Sequence, residues 1–383
     1  MAAGCYIAIA LLLFIGRWPH LPTMKITSLT TSVYVIPTAT PEADGTFEWN
    51  STTMILVELE AGGKKGLGYT YASIAAATLI DKSLKDIVVG KEAMNIIAIR
   101  TALIQHIRNN GVCGIAFMAV SAIDNALWDL KAKLLELPLC TLLGQAKEGM
   151  LSYGSGGFTN YTDKQLQEQF GDWIKEGIQY VKMKIGRDEK MDTARVKNAR
   201  EIIGNNAALF VDANGAYSPR QALYMSEVFS QYNISWFEEP VSSDNLEGLQ
   251  FIRNGVQHYI QIAAGEYGYQ LNYFKHMLSR KAVDVLQADA TRCGGISGFL
   301  QVGHLCEAFQ IPFSSHCAPA LHLHAAVALP NFYIAEYFYD HARLEAMLFD
   351  GVSPPVDGML TPDLSRPGFG LEFKYKDAEK YKR

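Results

Sequence analysis

The chain has 383 residues, a hydrophobic fraction of 49%, a charged fraction of 19% and a formal net charge of −5. This excludes a disordered or fibrous protein and leaves room for one large domain with a smaller companion. With no basic run and a mildly negative charge, nucleic acid is not an expected partner.

The six cysteines, Cys5, Cys113, Cys140, Cys293, Cys306 and Cys317, contain no C-x-x-C pair. That usage favours a reducing compartment and buried thiols. Residues 1–23 stand apart from the rest. The stretch CYIAIALLLFIG (5–16) is apolar for about a dozen residues, and a bilayer span needs roughly 20, so no membrane crossing is expected. Two readings stay open for it. One is a signal or anchor segment, although no Lys or Arg precedes it and no clean cleavage pattern follows. The other is a natural start at Met24, where MKITSLTTSVYVI already alternates polar with apolar residues. The second reading goes with a cytoplasmic protein.

Residues 26–37 and 53–60 read as two strands, joined by the polar connection TATPEADGTFEWN (38–50). That is long for a hairpin loop and reads as a lid, with the turn 68–73 closing beside it. Residues 72–84 and 91–109 have helical spacing. Residues 118–135 form an amphipathic helix, with Ala119, Ala122, Ile123, Ala126, Leu127 and Leu130 on one stripe and Asp124, Asp129 and Lys131 opposite. Two strands followed by helices make an α+β domain over 24–145.

The next 200 residues, roughly, repeat one pattern. LSYGSGGF (151–158), VKMKIG (181–186), ALFVDANG (208–215), SWFEEP (235–240), IQIAAGE (260–266), VDVLQAD (283–289), IPFSSH (311–316) and FYIAEYF (332–338) are short and rich in β-branched and aromatic residues. Each is separated from the next by enough chain for one helix, as parallel strands with right-handed crossovers require. The pattern predicts an α/β fold with a TIM-type barrel over 146–349, an open doubly wound sheet being the alternative. Only the barrel explains why Lys184, Asp212, Glu238, Glu266, Asp289, His316 and Glu336 all fall at strand ends, where a barrel gathers its site. The turn-rich tail 350–383 is expected to return to the first domain.

Asp212, Glu238 and Glu266 end three successive strands, and three carboxylates at one end of a barrel need a counter-charge. A divalent cation resolves this, and oxygen-only ligands select a hard one, Mg2+ first and Mn2+ second. One such carboxylate alone would read as a surface residue. Glu239 alternates to the other side of its strand and reads as supporting. Lys182 and Lys184 share one face, either inward, where each lowers the pKa of the other and helps one act as a base, or outward on a strand edge. Alternation does not decide between them. His316 and Asp289 end neighbouring strands, the carboxylate fixing the imidazole tautomer for acid–base work. Glu336, if protonated, could donate a hydrogen bond to a developing oxyanion. His322 and His324 read as satisfied core residues. Arg292 reads as a helix cap or as a group orienting substrate.

Lys-x-Lys, Asp-x-Asn-Gly, Glu-Glu-Pro, Gly-Glu, an Asp on strand six, a His on strand seven and a Glu on strand eight together resemble the mandelate racemase-like subgroup of the enolase superfamily. AIDNALWDLKAKLLELPLCTLLG (122–144) is similar to that family's capping-domain helix, and PGFGLEF (367–373) to its usual carboxyl end. The resemblance covers about residues 24–373. It implies a capping domain on a modified (β/α)7β barrel, with one Mg2+ held by Asp212, Glu238 and Glu266 and a homo-oligomeric assembly. It implies Lys184 as base on one face of a small carboxylate substrate and His316 with Asp289 on the other. Glu336 would hydrogen-bond the substrate carboxylate, Lys182 would tune Lys184 and touch that carboxylate, and Asn214 would contact a substrate oxygen. The shared chemistry is removal of the proton α to a carboxylate. Dehydration of an acid sugar to a 2-keto-3-deoxy acid is the first expectation, and racemisation or epimerisation of a 2-hydroxy acid the alternative. A cycloisomerase is disfavoured, since that subgroup would carry Lys in place of Asp289 and lack the histidine at 316. A non-catalytic binding protein on this barrel would have lost a ligand or a base, and none is lost. Substrate choice is expected in the lid 38–50, which carries Glu42, Asp44, Glu48 and Trp49.

Overall fold

A computed structural model describes residues 24–383; the two readings of residues 1–23 lie outside the described residues. Three antiparallel strands come first, β1 (Ser28–Ala43), β2 (Glu48–Ala61) and β3 (Lys64–Tyr71), in the order β1-β2-β3. The connection between β1 and β2 is far shorter than a thirteen-residue lid, with only residues 44–47 outside the strands. Thr38 and Thr40 suit extended backbone, and although residues 38–41 have no partner on β2, pairing resumes at Glu42, the surplus chain being taken up by the register shift between Pro37 and Glu42. Asp44 closes the tip by accepting the N–H groups of Thr46 and Phe47, both at 2.6 Å.

The tip is wedged against the second half of the molecule. A Cβ on Gly45 would stand 2.6 Å from the carbonyl oxygens of both Ile185 and Ala213. Gly68–Tyr71 proves to be strand rather than turn, and Thr70 Oγ1 donates to the Thr291 carbonyl at 2.8 Å. Helical residues 74–88 are broken by a π-turn at Ile80–Leu84, and the next helix is Ile96–Ile107.

The long helix Ile115–Leu134 corrects the amphipathic reading. Asp124 and Asp129, placed on its polar side, are both fully buried. Asp124 accepts from Ser297 N at 2.9 Å and Ser297 Oγ at 2.7 Å, and Asp129 accepts from Leu67 N and Phe369 N, each at 2.8 Å. A helix sandwiched between the first sheet and the barrel has no water-facing side at these positions, so its carboxylates are met by hydrogen bonds instead.

Eight parallel strands follow: β4 (Met150–Gly156), β5 (Tyr180–Lys184), β6 (Ala208–Asp212), β7 (Ile234–Glu238), β8 (Gln261–Ala264), β9 (Val285–Ala288), β10 (Phe313–Ser315) and β11 (Phe332–Phe338). They pair in sequence order and β11 pairs back onto β4, which closes the ring. Seven helices, one between each successive pair, complete the expected (β/α)7β barrel. Tyr153, Phe210, Trp236, Val285 and Ile334 fill its interior, so the site can form only at the open end. The carboxyl-terminal segment reaches the first sheet: Arg383 N donates to Val33 O at 2.9 Å, and the Phe373 and Tyr34 rings lie 5.1 Å apart. Among the described residues no helix is long and apolar enough to cross a membrane.

Candidate active site

Register assembles the site. Lys184 pairs with Asp212 and Asp212 with Glu238, so these three residues share one layer at the carboxyl ends of β5, β6 and β7. Beyond β8 the chain turns at Gly265, whose φ of +136° and approach to the Gln287 carbonyl, 2.1 Å from a built Cβ, leave room for no side chain. Glu266 is thereby carried to the same rim. Carboxylate oxygens of Asp212, Glu238 and Glu266 lie within 4.8 Å of one another, and all three residues are buried.

Both lysines point inward, which alternation had left open. Lys182 is fully buried, bridging Glu238, Glu336 at 2.8 Å and Asp212 at 3.3 Å, and Lys184 is ion-paired to Asp212. Lys182 does lower the pKa of Lys184, as expected, but that effect is outweighed. Burial pulls both down, but Glu238 and Glu336 beside Lys182, and Asp212 beside Lys184, outweigh it and hold both ammoniums above the usual lysine range. Asp212 sits below the carboxylate range despite burial because the two lysines flank it. Glu238 is pushed well above that range by burial, against the pull of Lys182 and with Asp212 repelling it. Its Oε2 accepts from Trp236 Nε1 at 2.9 Å and Gln287 Nε2 at 3.0 Å.

Glu336 also departs from expectation. Burial favours its proton, yet Lys182, His316 and Lys184 hold it well below the carboxylate range, and it accepts from Ser155 Oγ at 2.7 Å and Cys317 N at 2.8 Å. An ionised carboxylate has no proton to donate. His316 Nδ1 stands 2.8 Å from Asp289 Oδ2, and burial of Asp289 is overcome by that contact, which holds it below the carboxylate range. The other imidazole nitrogen, Nε2, lies 3.4 Å from Glu266 Oε2.

His322 and His324 are core residues, as read. Nε2 of His322 accepts from Ala290 N at 2.8 Å, and Nδ1 of His324 from Cys140 N at 3.2 Å. Two residues were undervalued. Arg292 donates to the Glu266 carbonyl at 3.1 Å and lies 3.7 Å from Asp289 Oδ2, tying two rim residues together. Glu239 lies in the left-handed region at φ 35°, which breaks alternation, and burial together with Glu266, Asp212 and Glu238 pushes its carboxyl well above the usual range. Asn214 is left-handed as well, at φ 46°, and its Oδ1 has no partner. No spacing rule signals such turns outside glycine.

The donor set fits a hard divalent cation. Asp212, Glu238 and Glu266 bring buried carboxyl oxygens together, and Glu266 Oε2 is a buried oxygen with no hydrogen-bond partner. Oxygen-only ligands with one oxygen left unpartnered are what Mg2+ takes.

The fold and this rim define a TIM-barrel protein with a capping domain. Residues 29–144 match the family described as mandelate racemase / muconate lactonizing enzyme, N-terminal domain, and residues 165–378 match enolase C-terminal domain-like. The chain belongs to the enolase superfamily, in its mandelate racemase/muconate lactonizing branch. A solved mandelate racemase/muconate lactonizing enzyme-like protein from Rubrobacter xylanophilus is 48% identical, with a TM-score of 0.92 over 94% of this chain and 100% of that one. A solved racemase from Streptomyces coelicolor A3(2) with bound magnesium is 30% identical, with a TM-score of 0.88 over 94% and 100% of the two chains. L-talarate/galactarate dehydratase of Salmonella typhimurium is 31% identical over 311 residues, 78% of each chain. Relatives include acid-sugar dehydratases, cycloisomerases and an epimerase. Magnesium, the expected metal, is the ion bound in solved relatives.

Proposed function

We propose that this protein removes the proton α to the carboxylate of a small polyhydroxy acid and expels the 3-hydroxyl, leaving a 2-keto-3-deoxy acid. The observation that carries the reading is the placement of two proton carriers on one carboxylate cluster. Lys184, on β5, contacts Asp212, and His316, after β10, approaches Glu266 at 3.4 Å. β5 and β10 are three strands apart in the closed ring, separated by β4 and β11, so their end residues reach the rim from different sides. Bound at Asp212, Glu238 and Glu266, Mg2+ would supply positive charge to the substrate carboxylate and offset the charge that holds Lys184 protonated.

Lys184 Nζ takes the α-proton. His316 acts as the imidazolium, with Nδ1–H donating to the Asp289 carboxylate, and gives its Nε2 proton to the departing hydroxyl, which leaves as water. Lys182, clamped by Glu238 and Glu336, directs a fixed positive charge toward the substrate carboxylate. Glu336 acts by holding Lys182, and Asn214 Oδ1 accepts from a substrate hydroxyl. General acid–base help of roughly 10²- to 10⁴-fold amounts to about 3–5 kcal/mol, so preorganised charge must supply the larger share.

The same pair of proton carriers supports a second reading, in which one takes the α-proton and the other returns one to the opposite face, racemising or epimerising a 2-hydroxy acid. Incubating the Mg2+-loaded protein with a panel of aldonic and aldaric acids in D2O separates the two. Keto product supports dehydration; deuterium at the α-carbon with inversion and no keto product supports 1,1-proton transfer. Neither outcome with any member of either acid class, 2-hydroxy acids included, would falsify both.

A further inference from the structure

A second donor cluster lies beside the oxygen triad. Cys317 is 4% exposed, and its Sγ is 3.2 Å from Nε2 of His316. Successive residues on extended backbone face opposite ways. Cys317 escapes this because its φ is 52°, in the left-handed region, which turns its side chain back beside the imidazole. Glu336 Oε2 lies 3.8 Å from the same nitrogen, and ligand atoms of His316, Cys317 and Glu336 all fall within 4.8 Å of one another. Glu266 Oε2, buried and without a hydrogen-bond partner, approaches Nε2 at 3.4 Å from the other side.

The chemistry of this cluster differs from its neighbour's. One sulfur, one imidazole nitrogen and carboxylate oxygen are the donors of Zn2+ and its thiophilic congeners, whereas Mg2+ takes oxygen alone. Asp289 on Nδ1 leaves Nε2 as the ligand atom, with the carboxylate behind the imidazole that metal-bound histidines ordinarily have.

We propose that His316, Cys317 and Glu336 form a seat for a thiophilic divalent cation, Zn2+ or Cd2+, separate from the Mg2+ triad, and that filling it stops the enzyme by occupying Nε2 of His316. Binding forms metal–sulfur and metal–nitrogen bonds and releases to solvent the thiol proton together with the proton that Nε2 carries when His316 is an imidazolium. The binding stands on geometry alone; the inhibition rests on the function proposed above.

The test is a titration of the Mg2+-saturated protein with Cd2+, followed by the thiolate-to-cadmium charge-transfer absorption. One equivalent should develop the band in the wild type and in C113S, which removes the one thiol exposed among the described residues, but not in C317S. A band that survives in C317S, or no band in the wild type, overturns the proposal. Should C317S fail to fold, cadmium NMR of the wild type decides, because one sulfur with nitrogen and oxygen donors is expected and an all-oxygen signal refutes the seat. These readouts need no substrate, so they hold even if no acid sugar is turned over. With a substrate in hand, Cd2+ should cut turnover by about 10²-fold or more, the share carried by acid–base help, without relief by added Mg2+. Relief by Mg2+ would place the cadmium in the oxygen triad and overturn the inhibition.

Discussion

Asp289 Oδ2 sits 2.8 Å from Nδ1 of His316, and Asp289 Oδ1 is tied to Thr291 N at 2.7 Å, so the carboxylate is held at both oxygens. D289N keeps the shape but loses the charge that fixes the imidazole tautomer. Turnover should fall by roughly 10²- to 10⁴-fold with KM little changed and Mg2+ affinity intact. A KM effect with unchanged kcat would show that the pair binds rather than reacts.

The oxygen triad sets a second expectation. E266Q removes the charge of the one triad carboxylate whose Oε2 is left without a partner. Mg2+ affinity should drop by about 100-fold or more, since even indirect supports of a metal site are worth 10- to 100-fold. Calorimetric titration of the metal-stripped protein measures it. Equal affinities in E266Q and wild type would remove Glu266 from the ligand set.

Arg292 links the Glu266 carbonyl to the Asp289 carboxylate. R292M keeps the length and loses both contacts, and kcat should fall by roughly 10- to 100-fold, as for other supports of a metal site. The melting temperature should move little by comparison. A large loss of stability with normal kcat would make Arg292 a packing residue.

The wedged hairpin can be tested by one methyl group. G45A places a Cβ where two carbonyl oxygens stand at 2.6 Å, and overpacking of this kind costs about 1–3 kcal/mol. The tip should lift from Ile185 and Ala213, raising KM and opening residues 38–50 to limited proteolysis. An unchanged digestion pattern would show that the tip was free to move.

Glu345 gives a pH signature away from the metal triad. It is fully buried, accepts from Tyr69 Oη and from Ala320 N, and burial pushes its pKa up from 4.5 to about 7. The folded state therefore holds this proton more tightly than the unfolded chain. That contribution is complete below about pH 4.5 and is lost as pH rises through about 7. E345Q does not ionise, so its stability relative to wild type should rise by about 3 kcal/mol across this window, at 1.36 kcal/mol per pKa unit. Urea unfolding at several pH values checks this, and parallel profiles would refute it.

The strands and the residues ending them were legible because each run is short, apolar and β-branched, and because every run delivers its polar residue at the same end. What stayed hidden depends on partners distant in sequence. Asp124 and Asp129 look solvent-facing until Ser297 and Phe369 come to meet them. The threonines that extend β1 past Pro37 read as loop when the paired strand is not in view. Arg292 and Glu239 gain their positions from chain turns with no fixed residue signature. The protonation of Lys182, Lys184 and Glu336 follows from the sum of charges packed around them, and position along the chain does not report that sum.

The burial of Asp124 and Asp129 against barrel-side N–H groups bears on engineering by recombination. A cap transplanted from a relative brings its own lining for that helix, and any donor without matching acceptors would strand Ser297 N and Phe369 N in a dry seam. Chimeras cut between the halves should therefore express as soluble protein only when residues 115–134 travel with the barrel they were built against, which makes the helix, and not the loop after it, the natural unit of exchange.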